Sequence, residues 1–469
     1  MIKFGTGGWR EIIGDGFTKA NIQLLIQALC DYIYINKMAH KPVIIGYDRR
    51  FLSDEGAKWA AEVFSGNDIK VHFIYKNSPT PLIMFQVKQE EAFFGIAVTA
   101  SHNPAIYNGI KLFTEGGRDA SLEMTDKLEE QIKLVDKIKI KDFDKAKKEG
   151  LIEIIDPFNE YIDGIMTFLN NQAVIKARLR ILLDPMYGVS KTSLQTILLT
   201  LRCDVDVINE RRDTLFGGKL PSPNAATLQR LSTLVVEEAY DLGLATDGDA
   251  DRLGVIDDKG VFVNPNEIMM LLYYYLVKYK KWEGDVVRNI ATTHILDEMA
   301  KDLGFKCHEV PVGFKHISSK IEETNAVLGG ESSGGLTVRG HIFGKDGIFA
   351  ASLLVEMISV TKKKISELLD EIYDKYGFRA MDENAYDFKK EEKDRIQKAI
   401  FDEKNLPDLG YPVKRVSYED GLKIYLENGG WLVARFSGTE PVLRVFSEMP
   451  SLDEAKKISK IMKEYLRLN

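Results

Sequence analysis

The sequence predicts an α/β protein: three similar strand–helix units, followed by a C-terminal unit of a different, α+β kind. Three observations predict this. Short apolar runs rich in β-branched residues alternate with amphipathic helical patterns over most of the chain. Those runs end in polar turns, the usual setting of strand carboxyl ends in such sheets. Near the C-terminus the alternation gives way to a hairpin signal around Asn428-Gly429-Gly430.

In the first unit, residues 42–47 (PVIIGY) read as a buried strand entering the turn 48–50, and 54–65 as a helix with Ala57, Ala60, Ala61 and Phe64 on one face. Residues 68–75 and 92–99 are further strands, and the lysine-rich stretch 133–148 reads as a solvated helical face. A second unit follows, with strands at 179–183, 203–207 and 242–245 and a helix at 192–201. The third has strands at 285–291, 306–310 and 326–329 and helices at 295–303 and 317–323. The last unit offers strands at 422–426, 431–436 and 442–447 and a helix at 452–466. The boundaries expected are 1–150, 151–255, 256–375 and 376–469, and 469 residues suit roughly three or four domains. No residue-level repeat proves duplication of the first three.

Composition excludes several classes of function. With 63 Lys and Arg against 70 Asp and Glu, the net charge is −7, so nothing draws the whole chain to nucleic acid or an anionic membrane. The N-terminus lacks an apolar run of signal-peptide length, and the greasiest stretch, 268–277, is about half a membrane span and reads as a buried core helix. Cys30, Cys203 and Cys307 lie far apart, with neither a disulfide framework nor zinc-ligand spacing. A cytoplasmic protein is expected.

Four loops carry chemistry. Asp247-Gly248-Asp249-Ala250-Asp251-Arg252 follows a strand, and three carboxylates at alternate positions of an extended loop can converge on a hard divalent cation, with Arg252 suggesting an anion beside it. A solvated acidic turn is the plain alternative; an EF-hand is excluded because Arg252 stands where that motif needs glycine. Thr99-Ala100-Ser101-His102-Asn103-Pro104 presents an exposed hydroxyl at a strand end, a nucleophile or phosphate carrier, or simply a loop of loop-forming residues. Arg435-Phe436-Ser437-Gly438-Thr439-Glu440-Pro441 is a compact anion cradle or an ordinary turn. Gly330-Glu331-Ser332-Ser333-Gly334 contains the formal pattern of a hydrolase nucleophile elbow. A strand-like segment follows it where that motif needs a helix, so Glu331 and Ser333 read better as partners for a polyol. No P-loop occurs, and Gly5–Arg10 lacks the last glycine of a dinucleotide fingerprint, although Arg10 is placed to touch a phosphate.

The ordered set TASHNP, DGDADR, GESSG and RFSGTEP strongly resembles the α-D-phosphohexomutase superfamily of phosphoglucomutases, phosphomannomutases and phosphoglucosamine mutases. The opening FGTGGWR, Asn108-Gly109-Ile110-Lys111 and Val312-Gly313-Phe314-Lys315 add to the likeness, which spans the chain. It implies a four-domain, heart-shaped molecule around a central cleft. It also implies Ser101 as the phosphoserine, with Asp247, Asp249, Asp251 and the seryl phosphate holding Mg²⁺. Glu331 and Ser333 are implied to bind sugar hydroxyls, and Arg435, Ser437, Gly438 and Thr439 the distal phosphate. Arg10, His102, Lys111 and Arg252 are implied to line the reacting phosphate, with Lys111 and Lys315 passing protons or screening charge.

The implied partner is a small phosphosugar, and the implied reaction interconverts glucose 1-phosphate and glucose 6-phosphate through glucose 1,6-bisphosphate, with mannose phosphates second. Phosphoglucosamine mutases typically carry His where this chain has Gly335, and the Lys345-Asp346-Gly347 segment looks more like phosphoglucomutases. Phosphomannomutase or phosphoglucosamine mutase as the main activity is the alternative. A non-enzymatic sugar-phosphate-binding paralogue would be expected to lose Ser101 or the carboxylate loop; both are present. Oligomeric state has no signature.

Overall fold

Three of the four sheets are built on one four-strand kernel, in which the first three strands are parallel, the fourth is antiparallel and the spatial order is second, first, third, fourth. In the first sheet the kernel is Val43–Tyr47, Val71–Ile74, Phe94–Val98 and Tyr107–Thr114. In the second it is Arg180–Asp184, Asp204–Val207, Leu242–Thr246 and Leu253–Ile256. In the third it is Val286–Asn289, Cys307–Val310, Leu328–Gly330 and Leu336–Val338. The repeat that residue identities do not display is therefore explicit in topology. It has a consequence for function: residues 99–106, 247–252 and 331–335 all join the third kernel strand to the fourth. Three of the four candidate loops are one structural position used three times.

The computed structural model describes every residue except Met1, Thr6, Lys389, residues 438–441 and Asn469, and leaves aside the side chains of Lys390 and Glu391. The first sheet is widened by Trp9–Ile12, antiparallel to Tyr107–Thr114, and by Ile152–Ile155, parallel to Val71–Ile74 and C-terminal to the expected division at 150. Likewise Phe262–Val263, beyond 255, pairs with Leu253–Ile256 in the second sheet. The fourth sheet is wholly antiparallel, in the order Ala380–Asp387, Val442–Met449, Trp431–Phe436, Leu422–Leu426, Val413–Ser417, with helix Leu452–Tyr465 on its face.

Two local expectations need correction. Within 133–148 only Phe143–Lys148 is helical; the rest is irregular chain following helix Leu122–Ile132. The helix expected at 192–201 opens with a π turn, Lys191–Gln195, before Thr196–Thr200. The apolar stretch at 268–277 is a buried helix, Pro265–Tyr274, continued by a π turn. Among the described residues no helix is long and apolar enough to cross a membrane.

Packing divides the molecule unevenly. One continuous apolar core runs from Ile44 to Ile372 and takes in residues of the first, second and third units. The fourth has a core of its own, around Ile424, Leu432, Val445 and Ile458. A small cluster of Ile290, Trp431 and Val433 joins it to the third. Around that cluster the Lys423 ammonium, 2% exposed, donates to Ile290 O at 2.6 Å and Glu309 Oε2 at 2.6 Å and lies 3.0 Å from His294 Nε2. The Arg288 guanidinium donates to the same Glu309 oxygen at 2.7 Å.

Candidate active site

The loop that follows Phe94–Val98 is held from beneath by a residue ending the neighbouring strand. Arg50, fully buried, donates to the carbonyls of Ser101 (2.6 Å), Asn103 (2.7 Å), Pro104 (2.9 Å) and Tyr107 (3.1 Å). Asp48 accepts from Thr99 Oγ1 at 2.7 Å, and Thr99 Oγ1 accepts from the Ser101 amide at 2.9 Å. This bracing holds Ser101 at φ +51°, a conformation sparsely populated by residues other than glycine and often found at functional sites. Its Oγ donates to Asp247 Oδ2 at 2.9 Å, and His102 Nδ1 lies 3.4 Å from Ser101 Oγ. The Ser101 hydroxyl is not exposed as the sequence suggested. The residue is 1% accessible because the second unit's turn closes over it, and a Cβ at Gly248 would lie 2.7 Å from Ser101 O.

The Asp247–Arg252 segment is a turn rather than an extended loop, with Ala250 at φ +64° and its amide bonded to Asp247 O at 3.1 Å. The turn still gathers the three carboxylates: one oxygen from each of Asp247, Asp249 and Asp251 lies within 4.8 Å of the others. Lys111 donates to Asp249 at 2.6 Å and Asp251 at 2.7 Å, and Lys345 approaches Asp251 at 3.0 Å. Thr80 Oγ1 donates to Asp249 at 2.7 Å.

Burial and repulsion from its two neighbours push the Asp247 carboxyl well above its ordinary range. Burial pushes Asp251 the same way, but Lys111 and Lys345 overcome it and hold it well below. Burial would lower the Lys111 pKa; Asp249 and Asp251 outweigh it and keep the ammonium charged. The Arg252 charge, then burial and Arg10, hold the His102 imidazole neutral, well below its usual value.

Unsatisfied groups show what this cluster can hold. Among the described residues Asp249 Oδ1 and Asp251 Oδ1 are buried without hydrogen-bond partners, as are Arg10 Nε and Arg252 Nε, the last lying 3.9 Å from Asp251 Oδ1. Orphan carboxylate oxygens beside converging carboxylates suit a hard divalent cation, and orphan guanidinium N–H groups suit an oxyanion. The donor set therefore fits Mg²⁺ next to a phosphate.

The other candidates gather separately, on the third and fourth units. Glu331 Oε1 accepts from Asn289 Nδ2 at 3.2 Å and from the Gly313 amide at 2.9 Å. Ser333 is exposed and, with Ser332, lines a cavity of about 380 Å³ bordered also by Glu267, Arg379 and Glu383. Lys315 is half-buried; burial lowers its pKa, and Asp126 and Asp119 partly restore it. Arg435 Nε donates to Asp420 at 2.7 Å, and the Ser437 amide donates to Val442 O at 2.9 Å. Gly438 and Thr439 lie outside the described residues.

Comparison with known proteins follows the same four-part division. Models of the phosphoglucomutase/phosphomannomutase α/β/α domains I, II and III match residues 1–139, 159–260 and 264–376, and that family's C-terminal domain matches 380–464. The chain belongs to the α-D-phosphohexomutases. A phosphoglucomutase/phosphomannomutase of Thermococcus kodakarensis is 31% identical, with 99% of this chain and 97% of the relative covered. A Methanothermobacter thermautotrophicus protein, assigned provisionally as a phosphoglucosamine mutase, is 29% identical over the same shares. Among solved structures, a Thermus thermophilus protein assigned provisionally as a phosphomannomutase superposes with a TM-score of 0.86 at 28% identity, over 99% of both chains.

Four residues of this phosphohexomutase escaped the sequence reading: Asp48 and Arg50 behind Ser101, Lys345 at Asp251, and Asp420 at Arg435. The turn 48–50 does end a strand, the same signal that exposed the other loops. Lys345 carries no such signal because it reaches Asp251 from another unit, and Asp420 because it precedes its strand, Leu422–Leu426, and meets Arg435 only through the pairing of that strand with Trp431–Phe436.

Proposed function

We propose that the protein interconverts glucose 1-phosphate and glucose 6-phosphate, with mannose phosphates as second substrates, through phospho-Ser101 and glucose 1,6-bisphosphate. One observation supports this most: Ser101 Oγ lies against Asp247, at the edge of a cluster whose unsatisfied atoms are both anionic and cationic. Asp247, Asp249, Asp251 and the seryl phosphate would hold Mg²⁺, which supplies neutralisation of charge on the phosphoryl oxygens.

The chain's own residues do the rest. Arg10, Arg252 and Lys111 bind the reacting phosphate and balance its charge in a buried setting, where each charge counts for more than in water. A sugar hydroxyl attacks the phosphorus, the Ser101 Oγ–P bond breaks, the hydroxyl proton passes to a base, and the leaving Ser101 Oγ takes up a proton to become a hydroxyl again. Lys315 is the better proton carrier of the two lysines, because burial lowers its pKa whereas two aspartates hold Lys111 charged. Glu331 and Ser333 orient the sugar, while Arg435 and its loop hold the phosphate that does not react. The bisphosphate then turns end for end and returns its other phosphoryl group to Ser101.

Glucose is favoured over glucosamine by Lys345. Its side chain crosses Gly335, where an added Cβ would lie 2.2 Å from Lys345 Cδ, so no histidine fits there without displacing it. Provisional assignment of several relatives at 29–30% identity as phosphoglucosamine mutases supports a second reading, glucosamine 1-phosphate as main substrate. Comparing kcat/KM for glucose, mannose and glucosamine 1-phosphates, each primed with its 1,6-bisphosphate, decides between them. Glucose should lead; a glucosamine value tenfold or more above it, over 1 kcal/mol of transition-state preference, overturns the choice of sugar.

A further inference from the structure

Asp420 sits in the turn that opens the hairpin of the fourth unit, and its carboxylate is shared between two units. Oδ1 accepts from Arg435 Nε at 2.7 Å, and Oδ2 accepts from the backbone amide of Val312, in the third unit, at 2.7 Å. The very next amide, Gly313, donates to Glu331 in the sugar loop. Adjacent peptide groups thus fasten the sugar loop on one side and the Arg435 guanidinium on the other.

The link is stiff. Gly421 has φ +84°, and a Cβ there would lie 2.7 Å from Ala434 O and 3.0 Å from Arg435 Cβ, so the turn rests on the backbone that carries Arg435. Holding a guanidinium through Nε fixes its plane, which bidentate recognition of an oxyanion requires. Charge alone argues the other way, since a carboxylate beside an anion-binding arginine weakens the anion. Geometry is what the contact supplies.

We propose that Asp420 is a positioning residue, which completes the distal phosphate site by locking Arg435 to the turn at Val312 and Gly313. Affinity for the non-reacting phosphate and seating of the fourth unit on the third are then one equilibrium. The proposal rests on the reading of Arg435 as a phosphate ligand.

Steady-state kinetics of the full-length enzyme with glucose 1-phosphate, primed with glucose 1,6-bisphosphate, tests it. Asp420→Asn should raise KM roughly tenfold, the size of one charge-assisted hydrogen bond, and leave kcat within about threefold. Competitive inhibition by inorganic phosphate should weaken in proportion. Combining Asp420→Asn with Arg435→Ala should cost little beyond Arg435→Ala alone, because the two act through one contact. A KM that stays unchanged or falls overturns the proposal, and so do effects that multiply in the double variant. A purely structural role would instead lower the melting temperature at constant KM. The isosteric Asn carries the test even where Asp420→Ala does not fold. If Arg435→Ala itself leaves KM unchanged, it is the reading of the distal site that fails; if only Asp420→Asn does, the positioning role alone falls.

Discussion

At one end of the site Ser101 and the Asp247–Asp251 turn are sealed among three units that share one apolar core. At the other, Arg435 stands on a unit with its own core, about 20% of its side chain open to solvent. Charges at the first end are buried, interlocked and strongly shifted, whereas at the second, among the described residues, the Asp420 carboxylate and a short seam hold the arginine in place. Each arrangement suits its proposed task. Phosphoryl transfer gains from fixed, dry electrostatics that keep water from the phosphoserine. A phosphate that only has to be held, in either of two sugar orientations, gains from a site that can open.

The largest expected contrast comes from removing the proposed phosphoryl carrier. Ser101→Ala should lower mutase kcat by roughly 10³-fold or more while costing only about 1 kcal/mol of stability, that of one hydrogen bond to Asp247. Stopped chemistry in a folded protein, with phosphosugar still binding in calorimetry, is the outcome to look for.

Next is Asp249→Asn. It should lose activity by roughly 10²-fold. Added Mg²⁺ should raise the melting temperature of the wild type but not of this variant. An unaltered Mg²⁺ response would remove the turn from the metal site.

Arg435→Ala should behave differently from both, with KM up by about ten- to a hundredfold and kcat nearly kept, since a ground-state contact is lost. A kcat defect at constant KM would erase the distinction between the two ends.

The smallest effect concerns the seam. Burial and the Arg288 charge push the His294 imidazole down to about 3. Its folded pKa lies below the unfolded value near 6.5, so the unfolded chain binds the proton first. The contribution is complete above about 6.5 and is lost as pH falls toward 3. Calorimetry at pH 7 and pH 5 should show a fall in melting temperature that is a few degrees shallower in His294→Gln than in the wild type. Equal slopes would mean the seam does not sense acid.

Much of the α/β part was legible because buried parallel strands such as 94–98 (FGIAV) are continuous apolar runs, and the turns after them stand out. The same punctuation exposed all four loops. Ala380–Asp387 was not recognised as a strand, since its sequence, AMDENAYD, is largely polar; it is an edge strand, satisfied by pairing with Val442–Met449. The burial of Ser101 could not be read either, because the closure comes from Gly248 in another unit. The reach of Lys345 to Asp251 and of Asp420 to Val312 was missed for the same reason: contacts between units have no local periodicity.

In the proposed mechanism Ser101 carries the phosphoryl group between two positions of one sugar. Intact-mass analysis with peptide mapping tests it most directly, on protein exposed to glucose 1,6-bisphosphate and then chased with glucose 1-phosphate. One phosphoryl group is expected on Ser101, lost in the chase as bisphosphate appears, and none on Ser101→Ala. A wild-type enzyme that turns over with Ser101 never phosphorylated, or a Ser101→Ala variant that keeps its activity, would contradict it.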